Sequence, residues 1–176
     1  MDIARIKSLL KAHPDFPVEG IVFQDIFPLF RDPRAVQQLV SHLVSHMAST
    51  HSKIDVIVGL DSRGFLLGPW VACLLGAAFV PVRKPGKLPG KCHTATYVKE
   101  YGADVFEMQQ DAILAGQTVV VLDDLLATGG SAKAAGDLVA QCQGNVVEYV
   151  FFIELVALKG SDQLSAPTYS VVQFED

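Results

Sequence analysis

The chain has 176 residues, with 14 lysines and arginines against 19 aspartates and glutamates, so its formal net charge is −5. Half of the residues are hydrophobic and 19% are charged, a balance that excludes intrinsic disorder and indicates one domain with a sizeable core. An acidic domain of this kind repels phosphate backbones, so we expect no nucleic-acid partner. The three cysteines have no C-x-x-C spacing, which argues against a disulfide framework or a zinc ribbon and fits a reducing compartment.

Membrane association is also unexpected from the sequence. The N-terminal residues lack the apolar run of a signal peptide. The stretch 64–82 is uncharged and its 19 residues approach the length of a membrane-spanning helix. However, Gly76 interrupts this stretch and Pro81 lies near its end, which indicates a buried helix followed by a buried strand. We therefore expect a cytoplasmic protein that does not enter a membrane.

The predicted elements alternate between helices and buried strands. An amphipathic helix at 3–12 is followed by an irregular, proline-rich stretch at about 14–30 and by a helix that begins at Asp32-Pro33. The remaining predicted elements are, in order, strand 54–60, helix 64–75, strand 77–82, a loop at 83–103 that becomes strand-like near Tyr97, strand 104–109, strand 118–122, helix 130–143, strand 146–155 and strand 169–174. This order indicates a single α/β domain with a parallel sheet flanked by helices, over whose edge the irregular stretch forms a small hood.

The sequence VVVLDDLLATGGSAKAAGDLV at 119–139 carries the strongest chemical signal. A buried strand leads into two adjacent acids, Asp123 and Asp124, and a glycine-containing turn then opens a helix. Ligands of parallel sheets bind outside the carboxyl ends of strands, and the N–H groups of such a turn bind anions, of which phosphate is the expected one. Sugar hydroxyls suit the acids, because they donate hydrogen bonds to carboxylates. The alternative is a helix cap with an incidental pair of aspartates.

Two further stretches supply positive charge. GLDSRGF at 59–65 also joins a strand to a helix, and its Arg63 suits phosphate, because a guanidinium group binds two phosphate oxygens at once. RKPGKLPGK at 83–91 contains no acid and these cations: Arg83, Lys84, Lys87 and Lys91. Three interpretations remain open for it: a solvated loop, a nucleic-acid patch and a clamp for a polyphosphate. The nucleic-acid patch is the weakest, since no basic helix or interleaved aromatic residues accompany the cations.

The acids and the sequence A-T-G-G-S that follows them resemble the ribose-phosphate signature of type I phosphoribosyltransferases. In that family the two acids bind ribose hydroxyls of phosphoribosyl pyrophosphate, and the turn binds its 5′-phosphate. The resemblance assigns the ribose 5-phosphate to Asp123, Asp124, Ala127, Thr128, Gly129, Gly130 and Ser131. It assigns the pyrophosphate to Asp61, Ser62, Arg63, Arg83, Lys84 and Lys87. It also implies a cis peptide bond, not followed by proline, between Asp61 and Ser62.

DDLLATGG, GLDSRGF, RKPGKLPG and TYVKEYG together are most similar to the adenine-specific members of this family. The similarity extends from PDFPVEGIVFQDI to ELVALKG and so covers nearly the whole chain. It implies a purine salvage reaction in which adenine and phosphoribosyl pyrophosphate give AMP and pyrophosphate. It also implies a requirement for Mg²⁺, held mainly by oxygens of the substrate and by water.

The same resemblance implies an adenine slot and a catalytic lid. Adenine would lie between Phe23 and Leu125, with its Watson–Crick edge against the backbone of Val22. In the lid, Glu100 would exchange a proton with the imidazole edge of the base, with Tyr101 beside it. Arg63 would complete the catalytic set at the leaving group. Gln24 departs from the arginine that is common at its position, which leaves one contact near the base open.

The helix predicted at 64–75 is apolar on nearly every side, so one face is expected to meet a second subunit in a homodimer. His42 and His46 share a helix face but lack the H-E-x-x-H pattern, and we do not expect them to bind a metal. Two alternative functions remain open. One is a phosphoribosyltransferase for a related base or an adenine derivative, and the other is a non-catalytic regulator that senses phosphoribosyl pyrophosphate.

Overall fold

The computed structural model describes residues 2–98 and 103–175. The chain forms two compact units, Met1–Met47 and Ala48–Asp176. Among the described residues, no helix combines the length and the apolar character that a membrane span requires.

The first unit contains a short hairpin and two helices. Its elements are α1 (Ile3–Ser8), β1 (Lys11–Pro14), β2 (Val22–Asp25), a 3₁₀ turn (Leu29–Arg31) and α2 (Pro33–Thr50), which continues into the second unit. The start of α2 is confirmed, because Asp32 Oδ1 accepts hydrogen bonds from the N–H groups of Arg34 (3.0 Å) and Ala35 (3.2 Å). The predicted helix 3–12 is wrong beyond Ser8, since β1 pairs in antiparallel register with β2 instead.

The second unit is an α/β sheet with an attached hairpin. Its elements are β3 (Val56–Leu60), α3 (Gly64–Leu75), β4 (Ala78–Val82), β5 (Cys92–Val98), β6 (Ala103–Gln109), β7 (Thr118–Leu126), α4 (Gly130–Gln141), β8 (Asn145–Leu155), two 3₁₀ turns (Val156–Leu158 and Gly160–Gln163) and β9 (Thr168–Phe174). Five of the strands form a sheet in the order β4-β3-β7-β8-β9, and every neighbouring pair is parallel. The parallel sheet with flanking helices is therefore confirmed.

The buried runs of the sequence are the strands at the centre of this sheet. Every residue of β3 is buried, and so are Val119, Val120 and Val121 in β7. Such strands carry apolar residues on both faces because helices cover both faces of a parallel sheet. The hairpin of β5 and β6 is separate from the sheet and antiparallel.

Two predicted boundaries in this unit are wrong. Strand β7 does not end at Leu122 but continues to Leu126, because the long strand β8 pairs with it over these residues as well. The predicted loop 83–103 is wrong for the residues just before Tyr97, because strand β5 already begins at Cys92, whereas the strand-like character predicted near Tyr97 is confirmed. Ala95 and Tyr97 in β5 are both buried, with 8% exposure. Asp123 and Asp124 therefore lie within β7, near its end, and the pairing of β7 with β8 fixes the position of their backbone.

All five strands of the sheet run in the same direction, so the segments that follow them emerge at one edge. At this carboxyl edge, Asp61–Arg63 follow β3, Arg83 follows β4 and the turn Ala127–Gly129 follows β7. The connection that starts at Val156 follows β8. In open α/β sheets this edge is where ligands bind.

Candidate active site

A pocket of about 220 Å³ lies at the carboxyl edge of the sheet. Its lining residues come from the end of β7, the turn after it and the first residues of α4, together with one arginine from the loop after β3: Asp123, Asp124, Leu125, Leu126, Ala127, Thr128, Gly129, Gly130, Ser131, Ala132 and Arg63. The residues predicted to bind ribose 5-phosphate therefore line a single cavity, and two residues predicted for other subsites, Arg63 and Leu125, line it with them.

The two acids of this pocket are in direct contact. Asp124 is 4% exposed, and its backbone N–H donates a hydrogen bond to Asp123 Oδ1 at 2.9 Å. Burial, and secondarily the charge of Asp124, raise the pKa of Asp123 well above its ordinary value of 3.8. Burial also raises the pKa of Asp124, although the nearby cation of Arg63 acts in the opposite direction. Negative charge on these two carboxyl groups is therefore unfavourable unless a cation or hydrogen-bond donors lie close to them.

Arg63 supplies such a cation. Its Nε donates to Asp124 Oδ2 at 2.9 Å, and the two side chains are 25% and 6% exposed. The sequence predicts Arg63 in the pyrophosphate loop, but no local pattern indicates that it pairs with an acid of β7. The neighbouring Gly64 permits this approach, because a Cβ there would lie 3.0 Å from Asp123 Oδ1 and from the carbonyl oxygen of Leu122.

The turn after the acids has the backbone of an anion-binding loop. Gly129 has a positive φ of 85°, and its carbonyl oxygen accepts the N–H of Lys133 at 2.9 Å, so the helix α4 starts directly after the turn. The first N–H groups of an α-helix have no partner within the helix and carry partial positive charge. Gly130 and Ser131 occupy these positions and line the pocket. This arrangement can bind a phosphate group without a lysine or arginine in the turn.

The loop after β3 is linked to the basic segment, residues 83–91, that follows β4. The peptide bond between Asp61 and Ser62 is cis, as the family resemblance implies. Asp61 Oδ2 accepts a hydrogen bond from Arg83 Nε at 2.9 Å, and the guanidinium of Arg83 lies 5.9 Å from the ring centre of Phe65. Two residues predicted for the pyrophosphate, 22 positions apart in sequence, thus form an ion pair with each other.

The basic segment also contacts acids of the hairpin. The backbones of Arg83 and Glu107 exchange two hydrogen bonds, and the N–H of Gly86 donates to Glu107 Oε2 at 3.1 Å. Lys84 Nζ lies 3.4 Å from Asp104 Oδ2, whereas the exposed Lys87 accepts a hydrogen bond from Arg83 at its carbonyl oxygen. The segment contains no acid, but the fold brings acids to it from β6.

Comparison with known proteins places this geometry in a family. The model of the phosphoribosyl transferase domain family matches residues 31–173. An adenine phosphoribosyltransferase of Yarrowia lipolytica is 56% identical over 173 residues, which are 97% of this chain and 95% of the relative. Adenine phosphoribosyltransferase 1 of Saccharomyces cerevisiae is 53% identical over 95% of this chain and 90% of its own. The chain belongs to the adenine phosphoribosyltransferase family.

A solved structure of a family member shows the same fold. The adenine phosphoribosyltransferase of Saccharomyces cerevisiae, complexed with adenine and D-2,5-dideoxy-2,5-imino-altritol 1,6-bisphosphate, superposes with a TM-score of 0.94. It is 51% identical, and the match covers 96% of this chain and 97% of that structure. Adenine phosphoribosyltransferases are glycosyltransferases, and membership of this family makes the chain one of them.

Four further residues are predicted from the family resemblance to bind or act on the base. Val22 and Phe23 lie on β2 in the first unit, where the ring of Phe23 meets that of Phe16 edge to face at 5.2 Å. Glu100 and Tyr101 lie outside the described residues. The roles of these four residues remain predictions.

One segment that contacts the turn at 127–129 was not predicted from the sequence. Gln163 Nε2 donates a hydrogen bond to the carbonyl oxygen of Thr128 at 2.5 Å, and Gly160 packs against the same turn. The two partners of the hydrogen bond are 35 positions apart, so no local pattern could have revealed it. The only signal was the sequence ELVALKG, which takes part in the family resemblance but carries no chemistry of its own.

Proposed function

We propose that this protein transfers the 5-phosphoribosyl group from phosphoribosyl pyrophosphate to adenine, releasing AMP and pyrophosphate. One observation carries the proposal. In a member of the adenine phosphoribosyltransferase family, two adjacent acids, the half-buried Asp123 and the buried Asp124, line one pocket with an N–H-rich turn at the carboxyl edge of the sheet. This pocket offers acceptors for sugar hydroxyls and donors for a phosphate group side by side.

In the proposed complex, ribose hydroxyls donate hydrogen bonds to Asp123 and Asp124, and the 5′-phosphate accepts hydrogen bonds from the turn and the start of α4. The residues that bind this phosphate are Ala127, Thr128, Gly129, Gly130 and Ser131. Adenine N9 then forms a bond to C1′ of the ribose while the bond from C1′ to the pyrophosphate oxygen breaks. The electron pair leaves with pyrophosphate, and the base loses one proton.

Charge distribution in the pocket supports this reaction. Positive charge develops on the ribose as the leaving group departs, and two carboxylates beside the ring stabilise it. The leaving pyrophosphate gains negative charge, which the cations of the basic segment and of Arg63 stabilise. We propose that the pyrophosphate is bound by Asp61, Ser62, Arg63, Arg83, Lys84 and Lys87.

The proposal for the base rests on the family resemblance. Adenine lies between Phe23 and Leu125, because an aromatic and an aliphatic face suit the two faces of a purine. The backbone of Val22 contacts its Watson–Crick edge. Glu100 exchanges the proton of the imidazole edge, with Tyr101 next to it.

We further propose that the reaction requires Mg²⁺. The paired carboxylates Asp123 and Asp124 are oxygen donors of the kind that Mg²⁺ prefers. We propose that the ion is held mainly by substrate oxygens and water, as is usual for Mg²⁺ in enzymes that bind phosphorylated substrates. When bound, the ion offsets the negative charge of the pyrophosphate.

We also propose a cytoplasmic homodimer. Trp70 and Leu74 on α3 are 54% and 63% exposed, although this helix is almost entirely apolar. Large apolar side chains grouped on one helix face indicate an interface. The three cysteines are free, which suits a reducing compartment.

An activity assay with a panel of bases tests the proposed function. Purified protein is incubated with phosphoribosyl pyrophosphate, Mg²⁺ and either adenine, hypoxanthine or uracil, and nucleotide and pyrophosphate are both quantified. We expect AMP and pyrophosphate in equal amounts with adenine and far less product with the other bases. Absence of AMP, or a preference for another base, would contradict the proposal.

A further inference from the structure

The connection between β8 and β9 passes beside the pocket before the chain returns to the opposite edge of the sheet. It starts at the carboxyl edge with two 3₁₀ turns, Val156–Leu158 and Gly160–Gln163. Between them Lys159 adopts a left-handed conformation, with a φ of 51°. Hydrogen bonds within the connection hold its shape, including those from Lys159 N to Val156 O (3.0 Å) and from Leu164 N to Ser161 O (3.1 Å).

Two glycines allow the connection to touch the phosphate turn. A Cβ on Gly129 would collide with the carbonyl oxygen of Gly160, and a Cβ on Gly160 would collide with the carbonyl oxygen of Ala127. The main chains of the turn and of the connection are therefore in direct van der Waals contact. Gly160 is buried, whereas the neighbouring Gln163 is exposed.

Gln163 adds a directed interaction to this contact. Its side-chain amide donates to the carbonyl oxygen of Thr128 at 2.5 Å. The carbonyl of Thr128 and the N–H of Gly129 belong to the same planar peptide unit, and in a trans peptide they point in opposite directions. The bond to Gln163 therefore holds the N–H of Gly129, a residue that lines the pocket, directed away from Gln163.

We infer that Gln163 is a positioning residue for the 5′-phosphate: it fixes the Thr128–Gly129 peptide so that the N–H of Gly129 is already oriented when the phosphate arrives. The inference rests on the proposed function, which assigns this phosphate to the turn. Gln163 itself does not line the pocket. An amide that is oriented in advance binds better, because binding does not then have to restrict its motion.

A purely structural role for Gln163 predicts that its loss affects the binding of all ligands alike. Because the side chain is exposed, its loss leaves no buried cavity, and we expect little change in the free energy of unfolding. A positioning role predicts weaker binding of ligands that carry the 5′-phosphate and unchanged binding of pyrophosphate, which the proposed function assigns to the loops after β3 and β4. The split between these ligands distinguishes the two roles.

The test uses Gln163→Met, which keeps the length of the side chain but removes the donor. Gln117→Met is the matched control: Gln117 also forms a side-chain hydrogen bond to the main chain, accepting the N–H of Leu114 at 2.8 Å, but it precedes β7 at the opposite edge of the sheet. Calorimetry measures the binding of ribose 5-phosphate and of pyrophosphate. Steady-state kinetics measures KM for both substrates, and thermal melting measures stability.

For Gln163→Met we expect about a five-fold loss of ribose 5-phosphate affinity and a similar rise in KM for phosphoribosyl pyrophosphate, as for the loss of one hydrogen bond. Pyrophosphate affinity, KM for adenine and the melting temperature should match those of Gln117→Met. Unchanged ribose 5-phosphate affinity, or an equal loss for pyrophosphate, would overturn the inference. Failure of the proposed function is distinguishable, because the unsubstituted protein would then bind ribose 5-phosphate without forming AMP.

Discussion

Replacing Asp123 by asparagine separates the function of the acid pair from its effect on stability. Burial and the charge of Asp124 raise the pKa of Asp123, so the folded protein holds this proton more tightly than the unfolded chain. The folded state therefore loses stability as the pH rises from the ordinary value of 3.8 through the raised pKa. Asparagine retains an oxygen that can accept the N–H of Asp124 but carries no charge. At neutral pH we expect the melting temperature of Asp123→Asn to equal or exceed that of the unsubstituted protein.

The same substitution should impair substrate binding. A hydrogen bond to a charged acceptor contributes about 1.5–3 kcal/mol, and one between neutral groups contributes about 0.5–1.5 kcal/mol. Loss of the charge of Asp123 therefore weakens its hydrogen bond to the ribose by about 1–2 kcal/mol, which corresponds to about a 5–30-fold rise in KM for phosphoribosyl pyrophosphate. The kcat should also fall, since the carboxylate stabilises the positive charge that develops on the ribose.

Initial rates of AMP formation at saturating adenine, together with thermal melting without ligand, measure both effects. Asp137→Asn is the matched control, because Asp137 is an exposed acid of α4 that pairs with Lys133 at 2.9 Å. It should leave KM and kcat unchanged. A melting temperature that falls by several degrees in Asp123→Asn while KM stays constant would refute the reasoning, because the acid would then serve the fold and not the ribose.

Further predictions concern pH, the turn, the interface and the metal. KM for phosphoribosyl pyrophosphate should rise as the pH falls through the raised pKa values of Asp123 and Asp124, because protonated acids accept hydrogen bonds from the ribose less well. A KM that stays constant over this pH range would contradict this prediction. Gly129→Ala should lower the melting temperature and raise KM for phosphoribosyl pyrophosphate more than Gly116→Ala does. Both glycines have a positive φ, but only a side chain at Gly129 collides with the main chain of Gly160. Equal effects in the two variants would argue against the contact between Gly129 and Gly160. Trp70→Glu should give monomers in light scattering, whereas Leu114→Glu, at a 68% exposed site outside α3, should remain dimeric. Removal of Mg²⁺ with EDTA should abolish AMP formation, and added Mg²⁺ should restore it; full activity in EDTA would exclude the proposed requirement.

The sheet could be predicted from the sequence because its central strands are continuous apolar runs. The run at 54–60 yields β3, and the uncharged stretch after it yields α3 with the predicted bounds. Pairing between distant segments could not be predicted in the same way. The hydrogen-bonding partners of Leu125 lie in β8, and nothing in the local sequence reveals that β7 continues to reach them.

The same distinction applies to the candidate site. The turn at 127–131 was predictable, because the strand, the turn and the helix start are adjacent in sequence and their N–H groups converge locally. The ion pair of Arg63 with Asp124 and the hydrogen bond of Gln163 to Thr128 depend on the tertiary fold. Sequence patterns therefore indicate the ligand chemistry, whereas the fold determines which groups orient the ligand-binding residues.

A crystal structure of the protein with AMP measures the position of the ligand directly. We expect the 5′-phosphate to accept hydrogen bonds from the N–H groups of the turn at 127–131, and ribose hydroxyls to donate to the carboxylates of Asp123 and Asp124. A phosphate bound instead by the basic segment at 83–91, with the two acids out of contact with the ribose, would contradict it.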